Sequence, residues 1–506
     1  MIELNGSNLT IEKLRLISEG EKVSVSEEAM QKVADCRKIV EELVAEGRVV
    51  YGITTGFGHL CNTGIAAKDI ERLQTNLIRS HATGVGEPYS KEIVRAVMAI
   101  RINSLLHGVS GVRPELIDAL AELLNKDVTP WVPTQGSVGC SGDLAPLSHI
   151  MLVLMGEGDV LASDGRSRVD AAEALKKAGI KPINLKAKEG LALINGTAVM
   201  AAVVALGLGR ALSLSKSADI VAAMTLEVSK ASTKPFDPEF IALRPYSGMK
   251  QVAENVLNCV EDSEIRASHA GCKKVQDAYS LRCIPQVHGS TREYLNYLEE
   301  QITIELNAVT DNPIILSKDK IISGGHFHGQ PLAYAGDILG IITSELANIS
   351  ERRIDRLLNP LINEMKPFLS IDPGVNSGLM IIQYTAAALV SENKVLAHPA
   401  SVDSIPTSAY QEDHVSMGSI AARKALKILD NSVQVLAIEW LSACQAYEFL
   451  KPLKLGKGTS VAYECLREKV EPLLEDRILA PDLERAKDLL IKNVLTERVS
   501  KVVEIV

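Results

Sequence analysis

Between residues 198 and 233 apolar side chains recur with no proline until Pro235. The pattern predicts one helix of up to about 36 residues, roughly 54 Å long at 1.5 Å per residue. From 415 to 449, Leu426, Leu429, Val433, Leu436 and Trp440 step by three and four, the spacing of a buried helical seam, and Pro452 closes the segment. A third run, Leu339, Ile342, Leu346 and Ile349, continues into "SERRIDRLLNP" and stops at Pro360. Helices this long cannot bury an apolar face alone. They predict a bundle, continued either within the chain or across subunits.

The first 190 residues read differently. Shorter helical patterns are interrupted by glycine-dense loops at 51–58, 83–86 and 136–142, and a polar tract at 163–188, with a helix predicted at 170–178, marks a boundary. The expected architecture is mainly α: a loop-rich α-helical N-terminal region over 1–190, then a long-helix bundle and C-terminal helices over 191–506. Aromatic residues make up only 4% of the chain, so the core is built from Leu, Ile, Val and Ala, which favours helix packing over β-sandwiches.

Hydrophobic content of 46% with 23% charged residues is that of a soluble folded protein. The net charge of -9 carries no basic block, which argues against nucleic acid. The most apolar tract, 196–209, is about 14 residues, short for a membrane span. No basic stretch followed by an apolar run opens the chain, so no signal peptide is expected. The eight cysteines form no C-x-x-C pair, which favours a reducing cytoplasm over a disulfide framework or zinc ribbon.

The densest chemistry lies in "GSVGCSGDLAPLSH", residues 136–149. Glycines at 136, 139 and 142 permit tight bends and close backbone approach. In a tripeptide bent this far, the Gly142 nitrogen is able to attack the Cys140 carbonyl and close a five-membered ring. Loss of two waters, one taking the Ser141 hydroxyl, then leaves an electrophilic methylidene. Two plainer readings stand beside this one. The stretch also fits a glycine turn with Asp143 capping a helix from about Leu144, or part of a nucleophile elbow at Ser141, although glycine is missing at 143.

The whole tract resembles the signature of the aromatic amino acid ammonia-lyases and aminomutases. In that family an Ala-Ser-Gly triplet cyclises to methylidene-imidazolone (MIO); Cys140 here replaces the usual alanine. Further resemblances run in order along residues 50 to 420: "YGITTGFG", "NLIRSHATGVGEP", "EGLALINGT", "VQDAYSLRCIPQVHG", "ELNAVTDNP", "SGGHFHGQPLA", "GVNSGLMIIQYTAAALVSENK" and "HPASVDSIPTSAYQEDHVSMG". The resemblance implies the long-helix fold of the fumarase and aspartase superfamily, a homotetramer whose active sites each draw on three chains, and MIO formed from Cys140, Ser141 and Gly142, with no metal or added organic cofactor.

Roles follow from matching positions. Tyr51 is the expected base. A free tyrosine has a pKa near 10, so lowering it by two to three units takes roughly 3 to 4 kcal/mol of phenolate stabilisation. Arg282 fits the substrate carboxylate with its planar fork. Asn195 and Tyr279, with Gln276 in support, are expected near the amine, carboxylate or ring carbonyl, and Phe327 against the substrate ring. Ser80-His81 follows the pattern of the histidine-specific members, with Glu412 and Met380 matching the same branch, so ammonia elimination from L-histidine to urocanate is the expected reaction.

His326 and Tyr410 depart from the family, which usually has asparagine at both places. His326-x-His328 lacks a carboxylate or cysteine partner at a metal-site spacing, so no metal is expected. Three alternatives remain on sequence grounds. An aminomutase, or a lyase acting on another aromatic amino acid or a histidine derivative, would share the cofactor. The fumarase and aspartase enzymes lack support because their G-S-S-x-M-P-x-K-x-N loop is absent. A non-catalytic helical homologue would keep the fold alone.

Overall fold

Four long helices dominate the computed structural model, which describes residues 1–56, 58, 63–272 and 274–506: Ala198–Val228, Ile284–Leu306, Gln330–Leu358 and Gly418–Tyr447. The fold is mainly α, as the apolar periodicity implies. Phe57, within the glycine-dense stretch 51–58, and Cys61 lie outside the described residues. Strands occur as short two-stranded pairs, one of which matters for the site: Val85–Pro88 runs antiparallel to Pro133–Gln135, immediately before Gly136.

The helix ends differ from expectation for local reasons. Ala198–Val228 has 31 residues and stops well before Pro235. Lys230 takes a left-handed φ of 51°, and the Ala231 N–H reaches back to the Leu226 carbonyl at 3.0 Å, a Schellman-type closure. Gly418–Tyr447 starts three residues later than the apolar pattern, because 415–417 bonds to the glycine loop instead of the helix: the Met417 N–H donates to Val138 O at 2.9 Å. Gln330–Leu358 ends just ahead of Pro360, as read. The helix predicted at 170–178 is Ala171–Ala178, with the Asp170 carboxylate accepting the Glu173 N–H at 3.1 Å.

Ala198–Val228 is long and apolar enough to span a membrane, longer than its most apolar tract suggests, yet 72% of its most apolar window is buried inside the fold. It also carries Asp219 and Glu227, both fully buried. Such residues are satisfied inside protein, not lipid.

Two compact units are distinguished. The first comprises Met1–Gly209, Glu299–Asp337 and Pro399–Arg423; the second Arg210–Leu298, Ile338–His398 and Lys424–Val506. The first holds a fully buried ion pair, Lys188–Asp311 at 2.8 Å. The second is threaded by a continuous polar network. Asp219 accepts from His288 Nδ1 at 2.8 Å, Arg292 at 2.6 Å and Asn255 at 2.9 Å. His288 Nε2 lies 3.3 Å from Arg353, which forks onto Glu439 at 2.5 and 2.9 Å. Thr225 and Ser350 complete the Glu439 carboxylate. Every buried charge here has a partner, the condition under which such a network is tolerated.

Candidate active site

The loop at 136–144 is held open-handed by backbone, which explains its glycines. Gly142 has φ +80°, and a Cβ there would stand 2.0 Å from the Gly196 carbonyl oxygen. The two residues form a parallel bridge: the Asp143 N–H donates to Gly196 O at 2.7 Å and the Gly196 N–H to Ser141 O at 3.3 Å. Gly139, at φ +69°, leaves room for Ser416, whose hydroxyl donates to the Gly139 carbonyl at 2.9 Å. Cys140 packs in a small apolar cluster with Val415 and Met417. The Gly142 N–H and the Cys140 carbonyl, the groups that ring closure would join, take part in no hydrogen bond among the described residues. The residues present therefore fit MIO.

Asp143 does not cap the helix that follows it. That helix, Ala145–Leu154, begins after Leu144 with no side-chain cap. The fully buried Asp143 carboxylate instead accepts the N–H groups of Val199 at 2.6 Å and Met200 at 3.2 Å, at the start of Ala198–Val228. Burial pushes its pKa up to about 7, against the pull of those N–H groups and of Arg101. The Arg101 guanidinium, also fully buried, donates to Ala192 O and lies against Gly196.

Ser141 Oγ donates to Glu412 Oε1 at 3.1 Å, and Thr407 Oγ1 donates to Glu412 Oε2 at 2.7 Å. The Cys140 thiol is pushed up to about 12, first by burial and then by the Glu412 charge beside it, so it is neutral. His81 closes the helix Ile70–His81, and its Nδ1 lies 2.9 Å from the Leu77 carbonyl. A carbonyl only accepts, so in the neutral ring Nδ1 carries the proton and Nε2 is the acceptor. Burial lowers the His81 pKa; the Leu77 hydrogen bond and the Glu412 charge oppose the shift.

Tyr51 is half-buried, and its hydroxyl accepts the Gly58 N–H at 3.5 Å. Asn195 is buried behind the loop, with Nδ2 donating to Asn312 O at 3.2 Å. Phe327 sits half-buried in the turn before Gln330–Leu358. The first unit thus brings Cys140, Ser141, Glu412 and His81 together, with Tyr51, Asn195 and Phe327 in the same unit. Gln276, Tyr279, Arg282 and Met380 belong to the second unit. There Gln276 and Tyr279 are exposed, and the Arg282 guanidinium stacks 4.4 Å from the Tyr279 ring centroid. Met380 opens the helix Met380–Leu396. His326 is exposed, and the His328 ring stacks on His414 at 5.6 Å. No group of three or more His, Cys, Asp or Glu side chains suited to a metal ion occurs among the described residues.

Sequence reasoning did not single out Ser416, Thr407 or Gly196. Ser416 and Gly196 act through a hydrogen bond or close packing with residues far away in the chain, hinted at only by the small side chains in "VSMG" and "NGT", while Thr407 acts on Glu412, five positions along, across a turn that no periodic pattern marks.

A serine set in a glycine cradle against a carboxylate, beside long packed helices, is the arrangement the comparisons with known proteins identify as that of a carbon–nitrogen lyase. The model of the aromatic amino acid lyase family matches residues 9–468, and the chain belongs to that family. It is 50% identical over 506 residues to the histidine ammonia-lyase of Alkaliphilus metalliredigens, covering 100% of this chain and 99% of that one. Among solved structures, the histidine ammonia-lyase of Trypanosoma cruzi shares 41% identity with a TM-score of 0.92, covering 99% of this chain and 95% of that one. The tyrosine aminomutase of Streptomyces globisporus shares 38% identity with a TM-score of 0.94, covering 100% and 99%.

Proposed function

We propose that the protein is a histidine ammonia-lyase, eliminating ammonia from L-histidine to give urocanate in the cytoplasm. The observation that carries the substrate reading is the tautomer of His81. Its Nε2 is a neutral acceptor with no hydrogen-bond partner among the described residues, in the electrostatic reach of Glu412. An imidazole N–H satisfies such an acceptor and a phenyl ring does not. Full-length identity of 50% to a histidine ammonia-lyase supports the same substrate.

Cys140, Ser141 and Gly142 are the residues that would form MIO, which supplies an electrophile to help expel the amine. The remaining work falls to ordinary side chains. Tyr51, on its glycine-flanked loop, removes the β-proton, with loop closure excluding water. Glu412 accepts from the substrate ring or exchanges a proton with it. Arg282 binds the carboxylate through two parallel N–H groups; its Nε is buried with no partner among the described residues. Asn195, Tyr279 and Gln276 orient the amine and carboxylate, while Phe327 and Met380 pack on the ring.

A homotetramer with sites shared between subunits completes the proposal. Its support is apolar surface left bare on long helices: Tyr294, Tyr297 and Ile304 on one, Ile381, Tyr384 and Val395 on another. The seven described cysteines are all free, in keeping with a reducing compartment.

The test is direct. Purified protein is offered L-histidine, L-tyrosine and L-phenylalanine while the ultraviolet absorbance of each conjugated product is followed. Urocanate from histidine is expected; turnover of another amino acid without urocanate would refute the substrate. An aminomutase is the second reading, favoured by the TM-score of 0.94 to a tyrosine aminomutase. A β-amino acid in the same reaction mixtures would select it.

A further inference from the structure

The turn that delivers Glu412 is unusual in its backbone. Ser408, Ala409 and Tyr410 all take left-handed φ values, 50°, 53° and 66°, although none is glycine. Each such L-residue costs about 1 to 2 kcal/mol in this region. The turn is clasped at its ends: the Thr407 N–H donates to Glu412 O at 2.9 Å, the Glu412 N–H returns to Thr407 O at 3.3 Å, and the Thr407 hydroxyl takes Glu412 Oε2 at 2.7 Å. Only the other carboxylate oxygen, Oε1, meets Ser141. The turn lies beside the glycine-dense loop at 51–58, since a Cβ on Gly58 would come within 2.7 Å of Ser408 Oγ.

We propose that Thr407 is a positioning residue for Glu412: its hydroxyl holds Oε2 and so presents Oε1 to the reacting centre. This rests on the lyase reading of Ser141 and Glu412. Ring formation removes the Ser141 hydroxyl as water, so that donor is present only before maturation. Thr407 is then the hydroxyl that still orients the carboxylate, beside the neutral thiol of Cys140. Without it, the Glu412 carboxylate loses a charge-assisted hydrogen bond and is free to rotate at the end of a strained turn.

Thr407→Val preserves shape and removes the hydroxyl. A charge-assisted hydrogen bond lost at the lower end of its range corresponds to about a tenfold fall in kcat. KM should change less than kcat, because the substrate's carboxylate and amine contacts are untouched. Thr407→Ser should restore kcat. Intact mass should show the same loss of two waters as the wild type, and circular dichroism the same helix content. Wild-type kcat in Thr407→Val, or a loss that falls on KM alone, would overturn the proposal. So would absence of the two-water loss, which would move the residue's role to ring formation. Should the valine variant not fold, Thr407→Ala is compared with Thr407→Ser, and equal kcat values in that pair overturn it. Glu412→Gln is run alongside: wild-type turnover there would sink the reading of Glu412 itself, whatever Thr407→Val does.

Discussion

Gly142→Ala separates the chemistry of ring closure from its geometry. Alanine keeps the backbone N–H that would attack the Cys140 carbonyl, so the bond-forming groups are unchanged. The added Cβ, however, would stand 2.0 Å from the Gly196 carbonyl oxygen, 2.3 Å from its carbon and 2.7 Å from its nitrogen. Real Cβ atoms essentially never come within 3.0 Å, so one backbone strand must retreat by at least 1.0 Å, the difference between 3.0 and 2.0. That retreat breaks the Asp143 N–H to Gly196 and Gly196 N–H to Ser141 hydrogen bonds. Leaving the buried groups unpaired costs about 1 to 3 kcal/mol each, and alanine at positive φ adds about 1 kcal/mol or more. A total of roughly 3 to 7 kcal/mol rivals the stability of a whole domain, but it falls on one loop, where local displacement is the cheaper response. The expected outcome is a folded helical protein whose intact mass shows no loss of two waters and which yields no urocanate. A Gly142→Ala protein with the full two-water loss and normal turnover would refute the claim that the Gly196 cradle sets the geometry.

Acid should weaken the fold through its buried imidazoles. His288 is held neutral chiefly by burial, between Asp219 and Arg353, and burial likewise lowers His81 and His149. The unfolded chain takes up protons near the ordinary value of 6.5 while the folded chain does not, so stability falls as pH drops below that value, by up to about 1.4 kcal/mol per pH unit for each fully excluded proton. Asp143, raised to about 7, acts in the opposite sense over the same range, so the check is the urea midpoint of Asp143→Asn at pH 7.5 and pH 5.5, and equal midpoints there would contradict it. Tyr410→Asn should raise the melting temperature: asparagine tolerates the left-handed φ of 66°, and the ring it replaces is 79% exposed, so relief of about 0.5 to 1 kcal/mol meets no loss of packing. A lower melting temperature would mean that the tyrosine holds the turn by a contact of its own.

The long helices were legible because burial of one face imposes a 3.6-residue period that the sequence must display. Their ends were not. Val228 is set by a left-handed Lys230, and Gly418 by residues 415–417 bonding to the glycine loop, neither of which leaves a periodic trace. The site was legible only through its motifs. Ser141 and Glu412 are 271 positions apart, and nothing in composition or spacing predicts that they meet.

Asp143 shows why local rules misassign such a residue. An aspartate just ahead of a helix is a sound N-cap by rule, and the nearest helix begins at Ala145. The carboxylate instead serves a helix that begins at Ala198, whose N–H groups carry the positive end of a 31-residue dipole. The loop's downstream edge is therefore tied to the longest helix, and its upstream edge to Met417 and Ser416, just before another. Neither tie exists until both segments are in place. The proposed ring closure would then follow tertiary folding, because these ties to the loop come from outside the tripeptide. A synthetic peptide spanning 133–155 keeps every atom of the reaction and none of these ties, so it should retain its full mass under conditions in which the refolding protein loses two waters. Water loss by the peptide would show that the tripeptide bends unaided, and the cradle would then be a consequence of the ring instead of its cause.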